Sequence, residues 1–222
     1  MNVLSHISAF FSDSAHWQGY DGIPSRVGEH VEYTLMALGI AAAVALPIGL
    51  LTGHTGRGGN TLALIATSAR ALPSFGLMVL MFILLGLGMA PVMIPLVVLA
   101  VPPILVTTNE AMRSVDPAPV DAARGMGMAE TGILFRVELP VALPLILSGL
   151  RSAAIQIVST ATIAAYVSFG GLGRYIIDGL YQRDYEKVVG GATLVALMAL
   201  VTLAVFWLLG RLATSPGVRR RT

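Results

Sequence analysis

The chain has 222 residues, 55% of them hydrophobic and 12% charged, about half the charge expected of a soluble domain, for which roughly a quarter is usual. Ala71–Asn109, Ser152–Gly173 and Val188–Gly210 contain no Asp, Glu, Lys or Arg, and so many neutral runs leave no polar shell to cover them, which excludes a soluble globular protein. Cysteine is absent and the four histidines show no ligand spacing, which excludes a disulfide framework, a thiol nucleophile and a thiolate metal site.

Residues 1–30 are mixed and polar, with Phe10, Phe11, Trp17 and Tyr20 among them. They lack a basic start, an apolar core and a small-residue cleavage site in succession, so they read as an interfacial or external segment rather than a signal peptide. Residues 31–212 read as one all-α membrane domain, because backbone groups in hydrocarbon must be satisfied within the chain. Five spans are predicted. The first covers Tyr33–Thr52, loosened by Pro47 and Gly49, and Gly53–Asn60 turns the chain. The second covers Thr61–Leu85, interrupted at Arg70 and Pro73, where a kink would tip its first part towards the inner surface. The third is Val92–Thr108, followed by the polar stretch Glu110–Leu139. The fourth is Pro144–Phe169, the next polar loop Gly170–Lys187, and the fifth Val188–Leu209. Residues 213–222 form a basic tail, and neither an internal repeat nor a separate soluble domain is visible.

Five spans put the two termini on opposite sides, and the positive-inside rule selects which. With the C-terminus inside, the inner side holds Arg57, Arg113, Arg124, Arg136, Arg151, Arg211 and the three tail arginines. The outer side holds Arg26, Arg174, Arg183 and Lys187. Nine against four predicts an outside N-terminus, a cytoplasmic C-terminus and a cytoplasmic loop 110–140, in a multi-pass protein of the cell membrane.

That loop is the most informative part of the chain. Asp116 followed by Pro117 is a helix start, a capping carboxylate and then proline at the first helical position. Asp121 falls in the opening turns, where the helix dipole favours an anion. Ala122 and Ala123 present almost no side chain, so a partner can approach the backbone closely. Gly125 and Gly127 then stop the helix and permit left-handed backbone angles. The predicted product is a short, smooth, exposed helix tip held between two spans.

Asp121-Ala122-Ala123, three residues, Gly127, nine residues, then Val137-Glu138-Leu139-Pro140 resembles the cytoplasmic signature of binding-protein-dependent ABC importer permeases: Glu-Ala-Ala, three residues, Gly, nine residues, Ile-x-Leu-Pro. Asp for Glu and Val for Ile are the departures. Similarity runs from about Glu32 to Gly210. Arg70–Ser74, Asp116–Met128, Leu139–Pro144 and Phe169–Gly173 look most like the glycine betaine/carnitine/choline branch, while methionine-importer permeases share the five-span plan. The resemblance implies a type I ABC importer transmembrane fold with a cytoplasmic coupling helix. It also implies a second permease, as a copy or a related chain, a cytoplasmic ATPase dimer and an extracytoplasmic solute-binding protein. Asp121, Ala122, Ala123, Gly125 and Gly127 inherit the coupling role, with Arg124 as a further polar contact.

Other residues stand out on their own. Arg70 is a charge inside a hydrophobic segment, where insertion costs about 2.5–3.5 kcal/mol, so snorkelling, pairing and a pathway role are all open to it. At about 100° per residue, Ser152, Gln156, Ser159 and Tyr166 fall on one face of the fourth span. Such a stripe suits a translocation path and suits hydrogen bonding between packed helices equally well. The glycines of Phe169–Gly173 allow a tight turn or close approach, either to the delivery protein or to the other permease. Tyr175, Tyr181 and Tyr185 fit an aromatic belt at the water boundary.

No Gly-x4-Gly-Lys-Ser/Thr loop occurs. ATP hydrolysis is therefore expected in a separate subunit, and this chain is expected to hold no cofactor and to do no catalysis. An intramembrane enzyme would want paired carboxylates or a His-x3-His helix in the spans. A channel or ion-coupled carrier would want charged relays or broken inverted repeats. Neither set is present in the sequence.

Overall fold

The computed structural model describes residues 2–167 and 169–213, with all side chains in that range except those of Asn60, Ala63, Ile65, Ala69 and Arg70. The Arg70 side chain and residues 214–222 of the basic tail thus lie outside the described residues. Ten α-helices account for most of the described chain. They are α1 (Val3–Ser12), α2 (Ile23–Thr55), α3 (Gly59–Arg70), α4 (Ser74–Leu85), α5 (Ala90–Arg113), α6 (Pro117–Gly125), α7 (Glu130–Ile133), α8 (Leu139–Ala161), α9 (Gly173–Gln182) and α10 (Tyr185–Ala213).

Four helical stretches are long and apolar enough to cross a membrane: α2, α5, the run Glu130–Val167 that contains α8, and α10. The remaining predicted span divides where Pro73 removes a backbone donor, into α3 and α4 of 12 residues each. At about 1.5 Å per residue each piece rises only ~18 Å, so neither is long enough to cross alone, and four of the five predicted spans are helices of crossing length among the described residues.

The helices assemble on ridges of small residues. On α2, Ala37, Ala41, Ala45, Gly49 and Gly53 recur every fourth residue and are all buried. α5 lies along this ridge in the same direction, for a Cβ on Gly49 would meet the Thr108 Cβ at 2.7 Å and one on Gly53 the Met112 Cβ at 2.5 Å. α8 closes on the other flank of α5, with Gly149 against the Thr107 Cβ at 2.7 Å. Without a hydrophobic drive between helices in lipid, close backbone approach of this kind is what holds a bundle together. α5 is accordingly the central helix, and α10 turns Leu200, Val201, Val205, Trp207 and Leu208 outward, a face suited to lipid.

Three segments are richer in structure than the sequence predicts. The N-terminal thirty residues hold α1, whose Phe10 is fully buried on the α10 glycine Gly190, and α2 begins ten residues before the predicted first span. The loop after the fourth span contains α9. Between α7 and α8 a π-helical turn, Leu134–Glu138, adds a residue to the helical register, and such turns cluster at functional sites. Arg151, counted above at the inner end, stands within α8, about 18 Å along it from Leu139. Eight charges then face four, and the bias keeps its sign.

Candidate functional site

The bundle has two built ends. At one, α6 projects between α5 and α8. Its start is sealed by Asp116, whose Oδ1 accepts from the Ala118 amide at 2.9 Å, and by Pro117 in the first turn. At its finish the Met128 amide donates to the Ala123 carbonyl at 3.1 Å and the Gly127 amide to that of Arg124 at 3.0 Å. Gly127 sits at φ +80°. These paired bonds make a Schellman cap, completed by Met128 packing on Val120, Ala123 and Ile133.

The predicted site residues therefore sort into two sides. Asp121, Ala122, Arg124, Gly125 and Gly127 are exposed. Ala123 turns inward onto Ile133, because it lies three residues beyond Val120 on the face that anchors the helix. Gly125 is helical, and a Cβ there would meet nothing within 4 Å; only Gly127 of the two takes the left-handed conformation. Arg124 is already engaged. Its Nε and Nη2 donate to the two carboxylate oxygens of Glu130 at 2.8 and 3.1 Å, and its Nη1 reaches Asp121 at 3.4 Å. The Glu130 carboxylate holds this guanidinium above its ordinary pKa.

From Glu130 the contacts continue inward to residues that sequence reasoning missed. Glu130 Oε2 lies 3.3 Å from His54 Nε2, and His54 Nδ1 is 2.5 Å from Glu138 Oε2. The Glu138 side chain is 8% exposed and that of His54 12%. His54 ends α2 and Glu138 ends the π turn into α8, so four side chains tie α6 to two membrane spans. The signal was faint: a histidine and a glutamate 84 positions apart share no motif, and Glu138 had been read only as the variable position of Val-x-Leu-Pro.

The other end is organised by the α8–α9 turn. Gly171, at φ +86°, donates its amide to Glu29 Oε2 at 2.7 Å, and the Leu172 amide reaches His30 Nδ1 at 3.2 Å. The opposite ring nitrogen of His30 lies 3.0 Å from the Val158 carbonyl, so the imidazole donates there and accepts from Leu172. A Cβ on Gly170 would stand 2.4 Å from Glu29 Oε2, and one on Gly173 2.0 Å from the Thr162 carbonyl oxygen. Gly170 and Gly171 thus dock the turn onto α2 of the same chain, and Gly173 seats it on the Thr162 carbonyl, rather than on a delivery protein or a second permease. Tyr175 is likewise no part of an aromatic belt. It is buried and donates to the Asp21 carbonyl at 2.6 Å, and burial pushes its hydroxyl pKa up to about 12. Tyr181 and Tyr185 are exposed.

Along α8, Ser152, Gln156 and Ser159 are exposed on one face as predicted. Both serine hydroxyls donate to carbonyls of their own helix, Ser148 at 3.0 Å and Ile155 at 3.1 Å, and need no neighbouring helix. Tyr166 is exposed too, but it rides on a 3-10 turn, Thr162–Val167, beyond the end of α8. Its ring meets Phe75 of α4 edge-on, centroids 5.0 Å apart.

A family model described as "Binding-protein-dependent transport system inner membrane component" matches residues 45–216. Among curated proteins, the choline transport system permease protein OpuBB of Bacillus subtilis is 33% identical over 192 residues, covering 86% of this chain and 88% of the relative. The glycine betaine/carnitine/choline transport system permease protein OpuCB of the same organism is 30% identical over 194 residues, covering 87% and 89%. Among solved structures, the inward-facing MetNI methionine ABC transporter superposes with a TM-score of 0.74 over 85% of this chain and 94% of its own, at 22% identity. That likeness shows the fold, a type I ABC importer transmembrane domain.

Proposed function

The chain belongs to the binding-protein-dependent transport system inner membrane component family, and on that premise we propose that it is the permease subunit of an ATP-driven importer for quaternary-ammonium osmoprotectants. Glycine betaine, carnitine and choline are the solutes that the similar permeases are named for, and they define the substrate class. The observation that carries the coupling role is α6, a capped helix with Asp121, Ala122 and Gly125 turned out and a buried underside. An exposed helix tip rigidly joined to the spans suits a groove on a partner, and that partner is a cytoplasmic ATPase. One ATPase docks on each of two permeases, and an extracytoplasmic binding protein delivers solute to the pair. The arginine bias supports an α6 end in the cytoplasm and an α9 end outside. The chain itself does no catalysis and holds no cofactor.

The mechanism is alternating access. ATP binding favours one arrangement of the ATPase dimer, and the permeases follow because only differential binding to two states can shift their balance. Force on α6 passes through Arg124–Glu130 to His54 and Glu138, and so to α2 and α8 together. The stripe of Ser152, Gln156 and Ser159 on α8, continued by Tyr166 on the 3-10 turn beyond it, lines the path that opens.

Two measurements test this reading. Uptake of labelled glycine betaine at high osmolarity should be lost when the gene is removed from cells without a redundant system, and should return with it. The ATPase should purify with the membrane protein and be released by Gly127→Trp, which wrecks the left-handed cap while the spans stay inserted. An ATPase retained by that variant overturns the coupling assignment, and betaine uptake that ignores the gene overturns the substrate class.

A further inference from the structure

We propose that the cleft at the α9 end is a receiving site for a zwitterionic quaternary-ammonium solute on the permease itself, with Tyr33 and Phe169 taking the ammonium and Arg174 the carboxylate. This rests on the osmoprotectant reading and on the outward placement of that end. Two adjoining cavities of about 400 and 430 Å³ share Arg26 and Arg174 in their walls, volumes that suit a small organic solute. The second is otherwise lined by Tyr20, Glu29, Tyr33, Phe169 and Gly170.

A trimethylated nitrogen has no N–H to donate, so aromatic faces and nearby negative charge are what hold it. Tyr33 and Phe169 supply the faces, with ring centroids 4.9 Å apart and planes inclined at 51°, both rings standing in the cavity wall. Beside them is the Glu29 carboxylate, fixed by the Arg26 guanidinium at 2.8 Å and the Gly171 amide at 2.7 Å. It reaches that position only because Gly170 has no Cβ.

The two arginines are not equivalent. Arg26 is committed to Asp21 and Glu29 and covers the Tyr20 ring at 5.4 Å. Arg174 makes one ion pair, Nη2 to Asp178 at 3.0 Å, and its side chain is 31% exposed. A guanidinium has five donors, so the edge left over can meet a solute carboxylate. The site therefore distinguishes betaine and carnitine, which have that carboxylate, from choline, which does not.

The test is the maximal uptake of labelled glycine betaine and of labelled choline by whole cells whose other systems for both are deleted, so that the binding protein's affinity drops out. Arg174→Gln should lower betaine uptake about tenfold relative to choline, the effect of losing one charged hydrogen bond. Asp178→Asn breaks the same ion pair but keeps the guanidinium, and should leave the ratio near that of wild type. Phe169→Leu should lower both solutes together, about threefold to tenfold. Membrane abundance and ATPase co-purification report folding in each case. An unchanged ratio in Arg174→Gln, or the same shift in Asp178→Asn, overturns the receiving site and leaves the importer reading standing. A wild-type chain that carries neither solute overturns both.

Discussion

His54→Leu is expected to destabilise the protein by about 3–5 kcal/mol, the usual cost of leaving a buried carboxylate without its partner. The magnitude follows from the asymmetry of the contact. Glu138 is 8% exposed and faces His54 at 2.5 Å, and it is held on a π turn that cannot swing it out without rebuilding the start of α8. Glu138→Leu should cost less, about 1–3 kcal/mol, because His54 keeps Glu130 at 3.3 Å near the surface. The double change, leucine at both positions, should return to within about 1 kcal/mol of wild type, since a buried pair replaced by apolar residues is close to neutral. For a chain of this size 1 kcal/mol moves the midpoint roughly 2–4 °C, so His54→Leu should lose roughly 6–20 °C in thermal inactivation of the purified transporter. The double variant should remain thermally sound but transport poorly, because the tie from α6 into α2 and α8 has gone. Thermal loss in the double variant equal to the two single losses added would refute the pairing, as would a His54→Leu midpoint within two degrees or so of wild type.

Three further outcomes are expected. Gly127→Ala, which forces a side chain into the left-handed region at about 1–2 kcal/mol, should weaken ATPase co-purification, while Gly125→Ala, in open space, should leave α6 folded by circular dichroism and protease resistance. Gly49→Val should abolish membrane accumulation on immunoblots, since its Cβ falls 2.7 Å from Thr108, whereas Gly39→Ala, with nothing within 4 Å, should accumulate normally. Gln156→Leu should change the rate or concentration dependence of solute uptake, and unchanged uptake would remove the α8 stripe from the path.

The spans were legible because lipid leaves few choices: a neutral run of sufficient length must be a helix, and Pro73 told where the second one breaks. The helix α6 was legible for a local reason, its cap, proline and terminal glycine all lying within twelve residues. What stayed hidden depends on contacts between distant segments. Ala123 looked like a smooth surface residue because sequence spacing does not say which face Ile133 covers. Tyr175 looked like a belt residue because the chain gives no sign that Asp21 waits for its hydroxyl. The Phe169–Gly173 glycines were correctly read as permitting close approach, but the partner they approach, Glu29 and His30 of α2, lies about 140 positions away in sequence. The π turn was invisible too, for it changes which face Glu138 occupies without changing the composition of the helix.

The two polar junctions share one design, and it explains why α2 matters to both ends. α2 carries His54 at the α6 end and Glu29 with His30 at the α9 end, and between them runs the ridge of small residues on which α5 lies. Thr108 and Met112 seat α5 in the notches at Gly49 and Gly53, and buried hydrogen bonds at the two tips fix α2 against its other neighbours. α8 is fastened to α2 at both tips, through Glu138 and through the Val158 carbonyl. A displacement of α6 therefore does not bend one helix alone. On the proposed mechanism it carries α2 and α8 together as a braced pair, and the cleft formed by Glu29, Tyr33 and Phe169 travels with that pair.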